Sequence, residues 1–205
     1  MVALLGGDGT DRIEALTDGV LAIVLTLLVL QFEVPDVAPS ALPAALADQE
    51  TLVVSYVLSF AIVGLYWTIH HSLFRDIVEH DRLLLWLNLC FLLSISFLPY
   101  PTEVLGTYGT TFAWILYAVN LSLVGITLTA VWAYAAHAGF TSDRIDARLA
   151  RLITIRGLIS PATFTLSIAV ATVNLSIAYV VPLLIAPLQL LWVRYYGRAT
   201  EALER

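Results

Sequence analysis

The sequence contains no lysine, and charged residues of every kind make up only 13% of its 205 positions. Soluble domains carry roughly a quarter of their residues as charged side chains. Hydrophobic residues account for 60% of the chain, and its mean hydropathy is +0.87. This shortage of charge and excess of apolar residues exclude an ordinary soluble protein. They predict an integral membrane protein surrounded by a lipid bilayer.

The charge balance also excludes nucleic acid as a partner. The formal net charge is −6, and the arginines are dispersed rather than clustered into a basic patch. The single cysteine, Cys90, permits no internal disulfide. The sequence has no glycine-rich phosphate loop, no nucleophile elbow and no paired-carboxylate arrangement. We therefore expect no enzyme activity and no cofactor.

Long apolar segments predict an all-α membrane protein that forms one domain over residues 1–205. Apolar runs separated by proline, glycine or charge clusters place six transmembrane helices at about 12–32, 51–74, 82–98, 111–136, 143–172 and 175–196.

Residues that interrupt helices predict where some of these spans end. The run Pro99–Pro101 is expected to stop the third helix, and a loop is expected from there to Thr110. Ser142 or Asp143 can cap the fifth helix, and Pro161 is expected to kink it.

The arginines predict the orientation in the membrane. With six spans, every arginine falls on one side, whereas the other side carries acids and no base: Glu33, Asp36, Asp48, Glu50 and Glu103. Basic loops remain on the cytoplasmic side, so both termini are expected in the cytoplasm. A composition rich in alanine, leucine and arginine without lysine suggests a bacterium of high GC content. The expected location is therefore the plasma membrane of a bacterium.

The first helix, residues 12–32, begins with charged residues and ends in an almost purely aliphatic run. Its 21 positions reach roughly 31 Å, enough to cross the hydrocarbon core of a bilayer. At 100° per residue, Ile23, Leu27 and Leu30 share one face, with Thr26 within about 60° of it. This aliphatic stripe faces either lipid or other copies of the helix.

Asp18 lies about 140° away from Ile23 on the same helix, so it should turn toward neighbouring helices. An ionisable group within the membrane costs about 2.5–3.5 kcal/mol on insertion scales, and it is retained where it faces protein or water. We therefore expect Asp18 to have a hydrogen-bond donor nearby.

The adjacent histidines His70 and His71 lie near the same membrane face as Asp18. Neighbouring residues on a helix point about 100° apart and do not converge on a metal, so no metal site is predicted. One histidine is expected to meet the polar end of the first helix, and Trp67 can pack there or donate through its indole nitrogen. The alternative is a histidine that simply reaches the lipid headgroups.

The segment RIEALTDG, residues 12–19, resembles the R-x-x-x-F-S-D-G signature of the transmembrane protein 175 family, the lysosomal potassium channel and its bacterial relatives. It departs from that signature at Leu16 and Thr17. The segment from Trp67 to His71 and the run LNLCFLLSISFLPYPT of the third helix are also similar to the family.

This resemblance implies a passive, potassium-permeable cation channel. A single six-helix unit looks like the bacterial form of the family, which assembles as a homotetramer with the first helices lining a central pore. By offset from the signature, the pore constriction would consist of Ile23, Leu27 and Leu30, with Thr26 as a polar residue facing the pore. A polar network at the inner end of the pore helix would contain Arg12, Thr17, Asp18, Trp67, His70 and His71.

A narrow ring of aliphatic side chains expels water, so it can act as a hydrophobic gate for potassium ions. Two other functions stay open at the level of sequence. Asp18, His70 and His71 near one membrane face could serve a proton channel or a proton-coupled transporter. The same three groups could serve a membrane enzyme.

Overall fold

The computed structural model describes residues 10–185, 187–189 and 191, and every regular element within these ranges is helical. The α-helices are α1 Asp11–Leu27, α2 Leu42–Ala47, α3 Glu50–Phe74, α4 Arg82–Ser96, α5 Pro99–Tyr108, α6 Thr111–Ala138, α7 Ala147–Gly157, α8 Ile159–Ala171 and α9 Leu175–Val180. Two 3₁₀ segments, Leu28–Gln31 and Val181–Leu184, extend α1 and α9.

Five helical segments of the described chain are long and apolar enough to cross a membrane: Asp11–Gln31, Glu50–Phe74, Arg82–Tyr108, Thr111–Ala138 and Ala147–Ala171. The protein is therefore an all-α, multi-pass membrane protein. The sixth predicted helix, 175–196, lies in part outside the described residues.

The segment after the third predicted helix differs from the sequence-based expectation. Instead of a loop, the chain forms α5, which follows α4 after a break at Phe97 and Leu98 and belongs to the same membrane-length segment, Arg82–Tyr108. Both Pro99 and Pro101 lie in the first turn of α5, where backbone N–H groups have no partner within the helix and proline is tolerated. Gly109, with φ of 57°, then ends the helix in the left-handed conformation that glycine favours.

The fifth predicted helix is divided into α7 and α8, with the break at Leu158. Pro161 has no N–H to donate to the carbonyl group one turn earlier, which places the interruption before the proline rather than at it. The cap of α7 is Asp146, whose side chain accepts a hydrogen bond from the Leu149 N–H at 2.6 Å, and not Ser142 or Asp143.

The core of the bundle is built around α6, which packs against α4, α5, α7 and α8. Large side chains of α6 are almost completely buried there: Trp114, Tyr117, Leu121, Val124 and Trp132. By contrast, α1 packs only against one side of the bundle, along α3 and α4. Within one chain, α1 therefore keeps a face that no other described element covers.

At one end of the bundle, the α3–α4 connection is joined to the α6–α7 connection. The Ser142 N–H donates to the Asp76 carbonyl oxygen at 2.8 Å, and the Val78 N–H donates to the Phe140 carbonyl oxygen at 2.8 Å. An ion pair of 2.6 Å between Arg144 and Asp76 reinforces this junction. The N-terminal end of α1 lies at the same end of the bundle, since the Thr10 hydroxyl oxygen is 3.5 Å from the carbonyl oxygen of Ile77.

Asp81 connects this junction to two helices. Its carboxylate caps α4 by accepting from the Leu84 N–H at 2.9 Å, and it accepts from the Tyr134 hydroxyl of α6 at 2.5 Å. The hydrogen bond from Tyr134 holds the pKa of Asp81 below its ordinary value. Asp81 therefore contributes fully to the stability of the folded protein when the pH is above the ordinary pKa of an aspartate. This contribution is lost as the pH falls through the lowered pKa of Asp81 in the folded protein.

We predict that Asp81→Ala destabilises the protein at neutral pH by about 1 kcal/mol, the usual effect of losing an N-cap. The melting temperature of the purified protein in detergent should fall by about 2–4 °C. Asp143→Ala is the matched control, because Asp143 is exposed and has no hydrogen bond to the described part of the chain. Equal melting temperatures for Asp81→Ala and the unchanged protein would contradict the prediction.

Candidate functional site

The uncovered face of α1 and the following 3₁₀ segment is a continuous aliphatic surface. Ile23 is 58% exposed, Leu27 is 41% exposed and Leu30 is 72% exposed. Leu16 and Gly19 continue this surface toward the N-terminal end of the helix, and both are exposed. We call these five residues the α1 stripe. Their spacing of three or four residues keeps them on one side of the helix.

Thr26 is exposed beside the α1 stripe. Its hydroxyl donates to the carbonyl oxygen of Ile23 at 2.8 Å, so the oxygen atom keeps free acceptor capacity while its proton is used within the helix. The threonine thus adds one polar oxygen to an otherwise aliphatic surface without exposing an unsatisfied donor.

The opposite face of α1 is buried within the same chain. Ile13, Thr17, Leu21, Val24 and Leu28 are at most 4% exposed, and they repeat at intervals of three or four residues. The two faces of the helix are therefore distinct, although both are mainly aliphatic. Hydrophobicity alone does not decide which of them faces the protein, because lipid tails are as apolar as leucine.

Polar contacts near the N-terminal end of α1 fix the rotation of this helix about its own axis. The Asn88 side chain of α4 donates to the Thr17 hydroxyl at 3.1 Å, and its amide oxygen lies 3.1 Å from Nε2 of His70 in α3. All three side chains are at most 1% exposed. Such buried hydrogen bonds are costly to lose, because each separated group would remain unsatisfied in an apolar environment.

A second contact joins α1 directly to α3 at the edge of the buried face of α1. The indole Nε1 of Trp67 donates to the Asp18 carboxylate at 2.8 Å. His71 stacks on Trp67 with ring centroids 6.1 Å apart, while both residues remain exposed. The donor that Asp18 requires is thus the tryptophan, and neither histidine makes a hydrogen bond to Asp18 in the described part of the chain.

Five of the six side chains assigned to the inner-end network are connected by these contacts, Thr17 with His70 through Asn88 and Asp18 with Trp67 and His71, but Arg12 does not join them. It is exposed, and no hydrogen bond or ion pair joins it to the described residues of its own chain. Its position four residues before Leu16 puts it on the same side of α1 as the α1 stripe. Asn88 is a further member of this network: an amide within an apolar span indicates an interhelical hydrogen bond, but the sequence does not identify Thr17 and His70 as its partners.

The C-terminal end of the α1 span has an anchor of its own, which the sequence did not reveal. The Gln31 amide donates to the carbonyl oxygen of Pro99 at 2.8 Å, at the start of α5. Phe32 packs edge-on against Tyr56 of α3, with ring centroids 5.4 Å apart. Both ends of the helix are therefore attached to the bundle by specific contacts, and the exposed stripe lies between them.

The chemistry available on the α1 stripe is that of a surface that repels water. Within the described ranges, no group of three or more histidine, cysteine or acidic side chains could hold a metal ion. If copies of this surface faced one another across a narrow space, they would form a hydrophobic constriction. The acids at the opposite end from the arginines are all exposed and would attract cations: Glu33, Asp36, Asp48, Glu50 and Glu103.

Comparison with known proteins identifies relatives of the chain. The family model described as the endosomal/lysosomal potassium channel TMEM175 matches residues 12–99. A potassium channel of Streptomyces collinus is 33% identical over 172 residues, which cover 80% of this chain and 84% of that protein. The endosomal/lysosomal proton channel TMEM175 of Gallus gallus is 31% identical over 134 residues, which cover 61% of this chain and 27% of that protein.

The fold has a counterpart among solved structures. The lysosomal potassium-selective channel TMEM175 homolog from Chamaesiphon minutus aligns with a TM-score of 0.77 at 26% identity, covering 89% of this chain and 96% of that structure. The likeness in sequence and in fold thus extends well beyond the segment that resembles the family signature. The chain belongs to the TMEM175 family of cation channels, and it is not an enzyme.

Proposed function

We propose that the protein is a potassium-permeable channel in which four copies place their α1 helices around a central pore. The observation that carries this proposal is the contrast between the two faces of α1. One face is attached to its own chain through buried hydrogen bonds, and the other presents exposed aliphatic side chains along the membrane span. The Streptomyces collinus relative, named a potassium channel, supports potassium as the ion.

The pore constriction in this proposal consists of Ile23, Leu27 and Leu30. Four copies of such side chains leave a narrow, dry passage that blocks ions until the helices tilt or rotate apart. Potassium loses its hydration shell at lower cost than sodium, so a dry constriction favours potassium, with weaker discrimination than a cage of carbonyl oxygens provides. Thr26 supplies the one polar oxygen beside the constriction.

The inner-end network acts in this proposal as the support of the pore helix. Rotation of α1 would expose Thr17 and separate it from Asn88, and it would also displace Asp18 from Trp67. Arg12, which has no partner within the described chain, would face the neighbouring subunits at the inner mouth. The arginine-bearing end lies in the cytoplasm of a bacterium under the positive-inside rule, with the acidic loops outside its plasma membrane.

Proton conduction is the second candidate function. It is favoured by the vertebrate relatives, which are named proton channels, and by the ionisable side chains Asp18, His70 and His71 around the inner end of α1. His70 is 1% exposed and does not face the α1 stripe, so a proton path through it would run beside the proposed pore rather than along it.

The first prediction on function concerns ion flux in liposomes that contain the purified protein. A potassium gradient should generate a membrane potential, detected with a voltage-sensitive dye, without a change of internal pH. Ile23→Asn and Leu27→Asn should raise this flux severalfold, because a polar side chain hydrates the constriction. Leu93→Asn is the control, since Leu93 of α4 is 72% exposed and lies about 140° around that helix from Asn88, which contacts α1.

The proton function would be favoured if the liposome interior acidified in response to the potassium gradient and if Ile23→Asn and Leu27→Asn did not change the extent of this acidification. An unchanged potassium current in both variants would remove these residues from the ion path.

The second prediction uses Gly19, where an added Cβ would meet no atom within 4 Å in its own chain. Gly19→Leu should abolish potassium flux by narrowing the pore, while the folded chain is unaffected. The melting temperature should not fall, because leucine is the better helix former by roughly 0.8 kcal/mol. Gly64→Leu in α3 is the matched control, since that position is equally open within the chain. Normal flux through Gly19→Leu channels would place α1 outside the pore.

The third prediction separates the hydroxyl of Thr17 from its volume. Thr17→Val leaves the Asn88 amide without its acceptor, which should cost about 1–3 kcal/mol. Size-exclusion chromatography should show fewer tetramers, and the melting temperature should be lower. Thr17→Ser keeps the hydroxyl and should retain both properties. The support role is wrong if Thr17→Val assembles, melts and conducts like the unchanged protein.

A further inference from the structure

A cavity of about 120 Å³ lies between α3, α6 and the α7–α8 break, and none of its lining residues belongs to α1. Its wall includes Ile69, Leu73, Leu128, Trp132 and Ile153. Arg156, Ser72 and Gln189 also line it. It is independent of the proposed ion path.

The hydroxyl groups of Tyr66, Thr129 and Ser160 and the indole of Trp132, which line this cavity, are already paired within the protein. The Tyr66 hydroxyl pairs with the Ser160 hydroxyl at 3.0 Å, and the Thr129 hydroxyl donates to the Gly125 carbonyl oxygen at 2.7 Å. The Trp132 indole donates to the Ala150 carbonyl oxygen at 3.1 Å. The interior therefore offers an apolar surface, and its occupant must present an apolar segment there.

Arg156 gives the cavity its charge. Among the described lining residues it is the one cation, and no carboxylate stands beside it. Its Nε donates to the Gln189 side chain, while its two terminal nitrogens have no acceptor in residues 10–185, 187–189 and 191. These nitrogens can bind two oxygens of a phosphate group.

The position of Arg156 along the membrane suits a lipid headgroup. Ser72 is two residues from the end of α3, and Trp132 lies in the last third of α6, toward the end that carries the arginine-rich junction. Arg148 and Arg151 precede Arg156 on α7 and are exposed. Arginines at such a level attract the anionic lipids of the adjacent leaflet.

The size of the cavity distinguishes a lipid from a soluble ligand. Sites for drug-sized molecules usually measure about 300–1,000 Å³, so only part of a molecule can enter here. A lipid satisfies this condition, because one segment of an acyl chain can occupy the cavity while the remainder stays in the bilayer. We infer that this cavity is a binding site for an anionic phospholipid whose acyl chain enters between α3, α6 and the α7–α8 break and whose phosphate binds Arg156.

The experiment is native mass spectrometry of the full-length protein in detergent, titrated with phosphatidylglycerol or with phosphatidylcholine of identical acyl chains. The unchanged protein should bind phosphatidylglycerol at a lipid concentration about fivefold lower than the concentration of phosphatidylcholine it requires. This is the factor expected for one arginine facing an anionic headgroup. Arg156→Gln should abolish this preference, and Arg156→Lys should keep most of it. Arg151→Gln is the matched control on the same helix and should behave like the unchanged protein.

Filling the cavity tests the place of the acyl chain. Ile153→Trp should weaken retention of both lipids, and Ser72→Phe, at the exposed mouth, repeats the test with less risk to folding. Melting temperatures identify any variant that fails to fold. Glycerol phosphate without acyl chains should not displace the lipid.

Three results would overturn the proposal. They are an unchanged phosphatidylglycerol preference in Arg156→Gln, an equal loss in Arg151→Gln, and displacement of the lipid by glycerol phosphate. The first two would indicate unspecific attraction to the arginines, and the third a simple anion site.

Discussion

The rotation of α1 about its own axis is the constraint on which the rest of the structure depends. In a bilayer, the aliphatic surfaces of this helix have similar free energies against lipid and against protein. Apolar burial therefore does not determine which surface packs on the rest of the chain. Buried hydrogen bonds do determine it, since Thr17 finds its donor only when it faces Asn88. Once Thr17 and Asp18 are paired, Ile23 and Leu27 must point away from the chain that carries them.

The remaining helices form a packed bundle that supports α3 and α4, the two helices that α1 contacts. The α6 helix is the most buried of the five membrane-length segments, and its large side chains fill the space between α4 and α8, although Val119, Leu123 and Ile126 remain exposed along one stripe. The two interrupted spans follow from proline, which removes a backbone donor near each break. Pro99, the first residue after the break before α5, provides the carbonyl group that accepts a hydrogen bond from Gln31. This contact attaches the C-terminal end of the α1 span to the bundle.

The cavity beside the α7–α8 break shows how the same bundle leaves space elsewhere. The helix is interrupted at Leu158, and the cavity lies between this break, α3 and α6, with Arg156 in its wall. The packing of the described chain thus leaves two separate apolar surfaces that differ in charge: the α1 stripe, which is purely aliphatic apart from Gly19, and the cavity, which has one cation, Arg156, in its wall.

The sequence by itself determined the membrane class, the all-helical fold and the family, because these depend on composition, on periodicity and on a short local motif. It also predicted the stripe of Ile23, Leu27 and Leu30 as one face, since helical geometry follows from residue spacing alone. Asp18 could be recognised as a residue in need of a donor, but whether that donor was a histidine or Trp67 depended on how α3 is rotated against α1.

Only the tertiary structure decided that α5 is a helix, that His70 pairs with Asn88 rather than with Asp18, and that Gln31 anchors the C-terminal end of the α1 span. The physical reason is the same in each case. Proline at the start of a helix and proline in a loop look alike in a sequence, and a polar side chain within an apolar span reveals that it requires a partner without revealing which one. Partners distant in the chain are chosen by the way in which whole helices pack.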